Sequence, residues 1–193
     1  MNYSTYEEDY FSGELQTSGY AAVGVGPGLG QSKVTSNALL KLLEQGKPLV
    51  IDADALNLLA TNREWIKRIP SGSILTPHPK EFERLVGAWQ NDFERLEKQK
   101  QLSVDINAVV ILKGAHSSIA TPDGKVYFNS TGNPGMATGG SGDVLTGILT
   151  GLLAESYSAT DAAIIGVYLH GLSGDMAARE KGQHSLIASD LID

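Results

Sequence analysis

The residues with the clearest chemical potential are Gly139-Gly140-Ser141-Gly142-Asp143, directly before a helix-like segment. Glycines let a ligand approach the backbone closely, and the free N–H groups of a helix start attract an anion. A carboxylate would repel a simple phosphate, so Asp143 indicates a further task. It would take a proton from a hydroxyl that attacks phosphorus. The alternative is a glycine-rich loop in which Asp143 is an ordinary residue of the first helical turn.

Three further polar segments each have a catalytic and a structural interpretation. Asp52-Ala53-Asp54 follows an apolar run and could hold Mg²⁺ through water or cap a helix. Thr76-Pro77-His78-Pro79-Lys80-Glu81 places an imidazole and a carboxylate in a turn stiffened by prolines, or is a solvated surface turn. Lys113-Gly114-Ala115-His116-Ser117 offers a cation and open backbone to the phosphates or ribose of a nucleotide, although strand-end lysines also simply reach solvent. For His170 and His184 we expect structural or solvent-facing roles.

A glycine-rich turn near the N-terminus, Gly24-Val25-Gly26-Pro27-Gly28-Leu29-Gly30, is similar to a dinucleotide fingerprint without satisfying it. The fingerprint G-x-G-x-x-G needs a glycine at position 29 or 31, where this chain has Leu29 and Gln31. The segment is therefore either a tight turn or a strand-to-helix turn along which a flat ligand could lie.

Strand-like and helix-like segments alternate along the chain. This order predicts an α/β fold with a mostly parallel sheet, helices on both faces and one antiparallel hairpin. In such sheets ligands bind beyond the carboxyl ends of the strands, where the polar segments fall. The predicted strands are residues 20–25, 49–51, 73–76, 108–112, 117–121 and 125–128, and the predicted helices are residues 33–43, 55–60, 80–85, 93–102 (capped by Asp92), 144–153 and 161–179.

Composition bounds the class of protein. The chain has 193 residues, no cysteine, and 15 Lys and Arg against 22 Asp and Glu, which gives a formal net charge of −7. This length predicts a single domain. The acidic balance argues against nucleic-acid and anionic-membrane partners, and the absence of cysteine fits a reducing cytoplasm.

The ordered set of motifs resembles the ribokinase-like superfamily, and within it the ADP/ATP-dependent NAD(P)H-hydrate dehydratases. Vitamin kinases of the superfamily usually have T-P-N-x-x-E at the third motif, whereas this chain has His78 in place of that Asn. Lys80 departs from the glycine of the dehydratase pattern T-P-H-P-G-E, and Ser141 replaces the threonine of G-G-T-G-D. The matching segments are residues 26–30, 51–57, 75–81, 112–115, 132–143 and 170–171.

This resemblance implies a three-layer α/β/α sandwich and the repair of damaged nicotinamide cofactor. The hydrate of NADH or NADPH would be phosphorylated by ADP or ATP and would then lose phosphate. By matching motif, Asp143 would be the base, and the N–H groups of Gly140, Ser141 and Gly142 would stabilise the phosphoryl group. Further implied roles are hydrate binding by Gly30 and His78, nucleotide binding by Lys113, Gly114, Ala115, His116, Ser117 and Gly142, and Mg²⁺ binding by Glu81, Asp52 and Asp54, directly or through water.

The resemblance carries three further expectations. The family's domain normally begins well before the Gly-Pro-Gly-Leu-Gly motif, so we expect an N-terminally shortened domain. Bacterial relatives suggest a homotetramer. The remaining alternatives are a small-molecule kinase of the same superfamily and a non-catalytic nucleotide-binding module.

Overall fold

The fold is an α/β sandwich in a computed structural model that describes residues 6–7, 10–11 and 15–192. The strands are β1 (Tyr6–Glu7), β2 (Tyr10–Phe11), β3 (Val23–Val25), β4 (Leu49–Ile51), β5 (Ile74–Leu75), β6 (Val109–Leu112), β7 (Ser118–Ala120) and β8 (Val126–Phe128). The α-helices are α1 (Lys33–Glu44), α2 (Ala53–Thr61), α3 (Pro79–Val86), α4 (Asp92–Ile106), α5 (Ser141–Ala154) and α6 (Ala159–Lys181). Short 3-10 helices span Arg63–Arg68, Pro134–Met136 and Ala188–Leu191.

The main sheet has six strands in the order β3-β4-β5-β6-β7-β8. Strands β3 to β6 run parallel, and β7 and β8 form an antiparallel hairpin at one edge. Because the four parallel strands point the same way, their carboxyl ends lie along one edge of the sheet. The polar segments after these strands are thereby brought together.

Each face of the sheet packs on its own layer of helices. Along β6, Val110 and Leu112 belong to the core cluster that includes α1, α2, α3 and α4. Val109 and Ile111 belong to the other cluster, together with α5 and α6. This alternation follows from the two-residue period of a strand, and it explains why all four residues are buried.

Small residues bring α6 close to its neighbours. A Cβ atom added to Gly166 would lie 2.7 Å from a methyl carbon of Leu149 in α5, and one added to Gly174 would overlap the side chain of Met136. Helix α6 therefore contacts both α5 and the segment that leads into the glycine-rich turn.

The predicted fold class is confirmed, and the predicted helices and main-sheet strands are present with shifted ends. The predicted cap of α4 is wrong, because Asn91 accepts a hydrogen bond from the N–H of Glu94 and Asp92 is the first helical residue. The N-terminal segment, which gave no strand signal, contains the short strands β1 and β2. None of the helices in the described ranges is long and apolar enough to cross a membrane.

Candidate active site

The first part of the site is the close approach of β3 and β4 at their carboxyl ends. Gly26 follows β3 with a φ of +135°, and a Cβ atom there would lie 1.8 Å from the carbonyl oxygen of Asp52. Only glycine fits this position without moving the backbone. The Gly-Pro-Gly-Leu-Gly turn therefore lies directly against the segment that carries Asp52 and Asp54.

A buried ion pair joins the ends of β4 and β6. Lys113 Nζ lies 2.7 Å from Asp52 Oδ1, and the hydroxyl of Thr146 in α5 donates to Asp52 Oδ2 at 3.0 Å. Asp52 is 1% exposed, whereas the Lys113 side chain is 24% exposed. The ammonium thus has a fixed counter-ion on one side and access to a ligand on the other.

The glycine-rich turn meets this ion pair where α5 begins. A Cβ atom added to Gly142 would lie 3.4 Å from Lys113 Nζ and 3.6 Å from Asp52 Oδ2. Gly140 precedes the helix with a φ of +88° and gives it no side-chain cap. Backbone N–H groups at an uncapped helix start and a nearby ammonium form a suitable environment for phosphate oxygens.

Asp143 is the third residue of α5, and its side chain is exposed. It lines a cleft of about 750 Å³ together with Gly24, Pro27, Thr146 and Thr150. An exposed carboxylate beside an anion site can take a proton from a ligand held there. Asp143 directly follows Gly142, whose added Cβ atom would lie 3.4 Å from Lys113 Nζ, so the carboxylate belongs to the same first turn of α5 as the possible phosphate site.

Residues 3–193 match the family model described as NAD(P)H-hydrate dehydratase. The chain belongs to this family. The bifunctional NAD(P)H-hydrate repair enzyme Nnr of Moorella thermoacetica is 48% identical over 172 residues, which are 88% of this chain and 32% of that enzyme. The ADP-dependent (S)-NAD(P)H-hydrate dehydratase of Bacillus subtilis is 38% identical over 176 residues, 90% of this chain and 62% of the enzyme. The chain thus spans about a third of the first relative and less than two thirds of the second.

Solved structures agree with this assignment. The ADP/ATP-dependent NAD(P)H-hydrate dehydratase of Bacillus subtilis, co-crystallised with ATP/Mg²⁺, superposes with a TM-score of 0.78 at 35% identity and covers 92% of this chain and 63% of that one. Hydroxyethylthiazole kinase of Pyrococcus horikoshii superposes with a TM-score of 0.71 at 18% identity over 89% of this chain and 70% of that one, which reflects the shared fold. The family match starts at residue 3, well before residue 26, where the first of the matching motif segments begins.

The family's histidine motif forms a capping box at the start of α3. His78 Nδ1 accepts hydrogen bonds from the N–H groups of Lys80 and Glu81 at 3.1 and 3.3 Å, and Glu81 Oε2 accepts from the His78 N–H at 2.8 Å. Because Nδ1 is an acceptor, the ring proton is assigned to Nε2, which lies 3.3 Å from Glu81 Oε1. His78 can therefore offer a ligand mainly its ring face, since both ring nitrogens contact α3.

Asp54 organises the family's glycine turn. Its Oδ2 accepts from the Gly30 N–H at 2.9 Å, and its Oδ1 accepts from Gln31 Nε2 at 2.8 Å. Gly30 has a φ of +74° and is exposed, as hydrate binding would require. Because the Gly30 N–H already donates to Asp54, a ligand here would contact the exposed surface of the turn instead.

The proposed nucleotide segment lies between β6 and β7. Gly114, Ala115 and His116 are exposed, and the Ser117 hydroxyl lies 3.3 Å from the N–H and the carbonyl oxygen of Gly114. The turn is thus accessible and closed by its own serine. Nucleotide binding by these residues stays a prediction.

The three carboxylates predicted to hold magnesium do not form a protein-only metal cage. In the part of the chain that the structure describes, no three His, Asp or Glu side chains are grouped to hold a metal. Asp52, Asp54 and Glu81 each already accept protein hydrogen bonds. Magnesium usually keeps several waters and binds through one or two carboxylates with substrate phosphates, and a carboxylate has about four acceptor sites. The residues therefore fit a nucleotide-borne Mg²⁺ contacted through water, and this site stays a prediction.

Two side chains of α6 anchor the glycine-rich segment; sequence reasoning missed Asp175, and it gave His170 a structural or solvent-facing role without naming a partner. Asp175 in α6 accepts from the Gly132 N–H at 2.9 Å and from Asn133 Nδ2 at 3.0 Å. His170, also in α6, has its Nε2 2.9 Å from the carbonyl oxygen of Ser141. Asn133 before Pro134 is a recognisable turn signal, but nothing local indicates that residues some forty positions later would hold it.

Proposed function

We propose that this chain carries out the nucleotide-dependent dehydration of NADH or NADPH hydrate, and so restores the dihydronicotinamide ring. The observation that carries the proposal is the position of Asp143 in the uncapped first turn of α5, directly after Gly142, whose added Cβ atom would lie 3.4 Å from Lys113 Nζ. The geometry alone would also suit other phosphoryl transfers. Membership of the dehydratase family supports dehydration among them.

The first step is phosphoryl transfer to the ring hydroxyl of the hydrate. The Asp143 carboxylate takes the hydroxyl proton while the oxygen forms a bond to the terminal phosphorus of ADP or ATP. The bond from that phosphorus to its bridging oxygen breaks, and AMP or ADP leaves. The N–H groups of Gly140, Ser141 and Gly142 and the Lys113 ammonium stabilise the charge on the phosphoryl oxygens.

The second step is elimination of the phosphate. Hydroxide is a poor leaving group because its conjugate acid, water, has a pKa of about 15.7, whereas a departing phosphate dianion is conjugate to an acid with a pKa of about 6 to 7. The ring nitrogen's lone pair expels the phosphate, and the neighbouring ring carbon then loses a proton to the departing phosphate or to water, which restores the double bond. The chain's role here is to hold the phosphate.

Magnesium would supply charge neutralisation on the phosphates, as it does in other phosphoryl transfers. Glu81 and Asp54 would contact its bound waters, and Asp52 would contribute through the Lys113 ion pair. His78 and Gly30 would line the hydrate side of the site, and residues 113–117 would bind the nucleotide. ADP as donor agrees with the name of the Bacillus subtilis relative.

The same proposal includes a cytoplasmic homotetramer. Exposed apolar side chains on α6, among them Tyr168, Leu169 and Met176, support self-association. Light scattering during size-exclusion chromatography tests this part, because a mass of one chain at all concentrations would contradict it.

The test of activity uses purified NADPH hydrate, Mg²⁺ and either ADP or ATP, with recovery of the near-ultraviolet absorbance of NADPH as the signal. We expect a nucleotide-dependent rise that falls about 10²- to 10⁴-fold in Asp143→Asn, since general base catalysis contributes about that factor. ADP affinity, measured by calorimetry, should persist in this variant. Asp161→Asn, an exposed first-turn residue of α6, is the matched control.

Three outcomes would contradict the proposal. Turnover unaffected by Asp143→Asn would remove the assigned base. A stable phosphorylated hydrate without recovery of absorbance would indicate a kinase. A folded chain that binds no ADP would indicate that this site does not use nucleotide.

A further inference from the structure

Helix α5 begins without a side-chain cap, as α2 also does. Several other helices start at a side chain that accepts a hydrogen bond from the first turn, and these caps are Ser32, His78, Asn91 and Ser158. At α5 the corresponding residue is Gly140, which has no side chain. A side-chain cap would occupy the N–H groups that the proposed phosphate site needs, so this helix start must be held in another way.

His170 of α6 supplies a contact on the carbonyl side of the same turn. Its Nε2 lies 2.9 Å from the carbonyl oxygen of Ser141, the first residue of α5, and 3.3 Å from the Ser141 hydroxyl. A carbonyl oxygen only accepts, so Nε2 carries the proton and donates it. The contact fixes the first turn without using any of its N–H groups.

The surroundings of His170 keep this donor in place. The imidazole is partly buried, and the next residue, Gly171, lies so close to Thr131 that a Cβ atom would be 2.2 Å from its hydroxyl. The pKa of His170 is lowered, mainly by burial and also by the nearby positive charge of Lys113. The hydrogen bond to Ser141 acts in the opposite direction and raises it. An uncharged ring donates to the carbonyl without placing a second cation beside Lys113.

We propose that His170 is a positioning residue for the proposed reaction. It replaces the missing cap of α5 and holds the first turn so that the N–H groups of Ser141 and Gly142 stay aimed at the phosphoryl group. The benefit of this role to the reaction rests on the proposed function. The hydrogen bond from His170 to Ser141 does not, because it is present in the protein without a ligand.

The test compares His170→Leu, which fills the space without a donor, with His170→Gln, whose amide N–H can reach the same carbonyl. The first measurement is amide hydrogen exchange of the free chain at Val144, whose N–H bonds to the Gly140 carbonyl at 3.1 Å. Loss of one hydrogen bond predicts exchange about 5- to 10-fold faster in His170→Leu, with most of the protection restored in His170→Gln. His184→Leu, at an exposed histidine, should leave exchange unchanged.

The second measurement is the affinity for ADP with Mg²⁺ by calorimetry, which should weaken by a similar factor in His170→Leu and recover in His170→Gln. Unchanged exchange at Val144 in His170→Leu would overturn the proposal. Equal effects of Leu and Gln would also overturn it, because they would indicate packing alone. If the unmodified chain binds no ADP, the proposed function fails, and the exchange data still decide the anchoring.

Discussion

Substitution of Asp52 by Asn is the sharpest test of the ion pair at the centre of the site. Asn has nearly the same shape but no charge, so the Lys113 ammonium would lose its partner at 2.7 Å while remaining partly buried. Removing one member of a buried pair costs about 3–5 kcal/mol, and the partial exposure of Lys113 places our expectation near the lower end, about 3 kcal/mol. For a domain of this size, that corresponds to a melting temperature lower by about 6–12 °C.

The assay is urea unfolding of Asp52→Asn, Lys113→Met and the double variant. If the two residues interact as a pair, the double variant is more stable than the sum of the single losses predicts, by about 1–3 kcal/mol. Asp54→Asn is the matched control, because this aspartate lies two positions away and contacts the exposed Gly30 turn instead. A loss below about 1 kcal/mol in Asp52→Asn, or strict additivity in the double variant, would refute the reasoning.

Three further predictions concern backbone, network and pH. Gly26→Ala should prevent folding, because its Cβ would overlap the Asp52 carbonyl, whereas Gly28→Ala, with a φ of +63° and open space, should cost only about 1–2 kcal/mol in urea unfolding. Gln99→Ala should destabilise by about 2–4 kcal/mol, measured in the same way, because two buried carbonyls lose the amide that donates to them at 2.8 and 3.0 Å. The lowered pKa of His170 means that the unfolded chain binds its proton first as pH falls. Stability should therefore decrease as pH drops from about 6.5 through the folded pKa, and His170→Leu should flatten this slope; an unchanged slope would refute the assignment.

The sequence was sufficient for the order of elements because local signals were strong. The apolar run predicted as a strand matches β4 (Leu49–Ile51). The Pro-Asp-Gly segment predicted as a turn joins β7 and β8. The ends of helices were harder to predict. Asn91 and Asp92 are both suitable residues for the cap of α4, and only the three-dimensional structure distinguishes them. The strands β1 and β2 have two residues each, too few for a periodic signal.

The site was predictable in its parts but less so in its connections. Glycines before a helix and polar residues after strands identified Gly142, Asp143 and Lys113 as candidates. The pairing of Lys113 with Asp52, 61 positions away, depends on the parallel order of the strands and could not be deduced from local sequence. The same holds for His170, whose partner Ser141 lies 29 positions earlier.

The short range over which Lys113 acts determines how ionic strength should affect the rate of nucleotide association. A formal net charge of −7 repels an anionic nucleotide at long range, and dissolved salt screens that repulsion beyond a Debye length of about 8 Å at physiological concentration. The Lys113 ammonium and the N–H groups of α5 act at contact distance, where screening is weaker. Moderate salt should therefore speed nucleotide association with this chain, in contrast to proteins that draw anions in through a positive surface field.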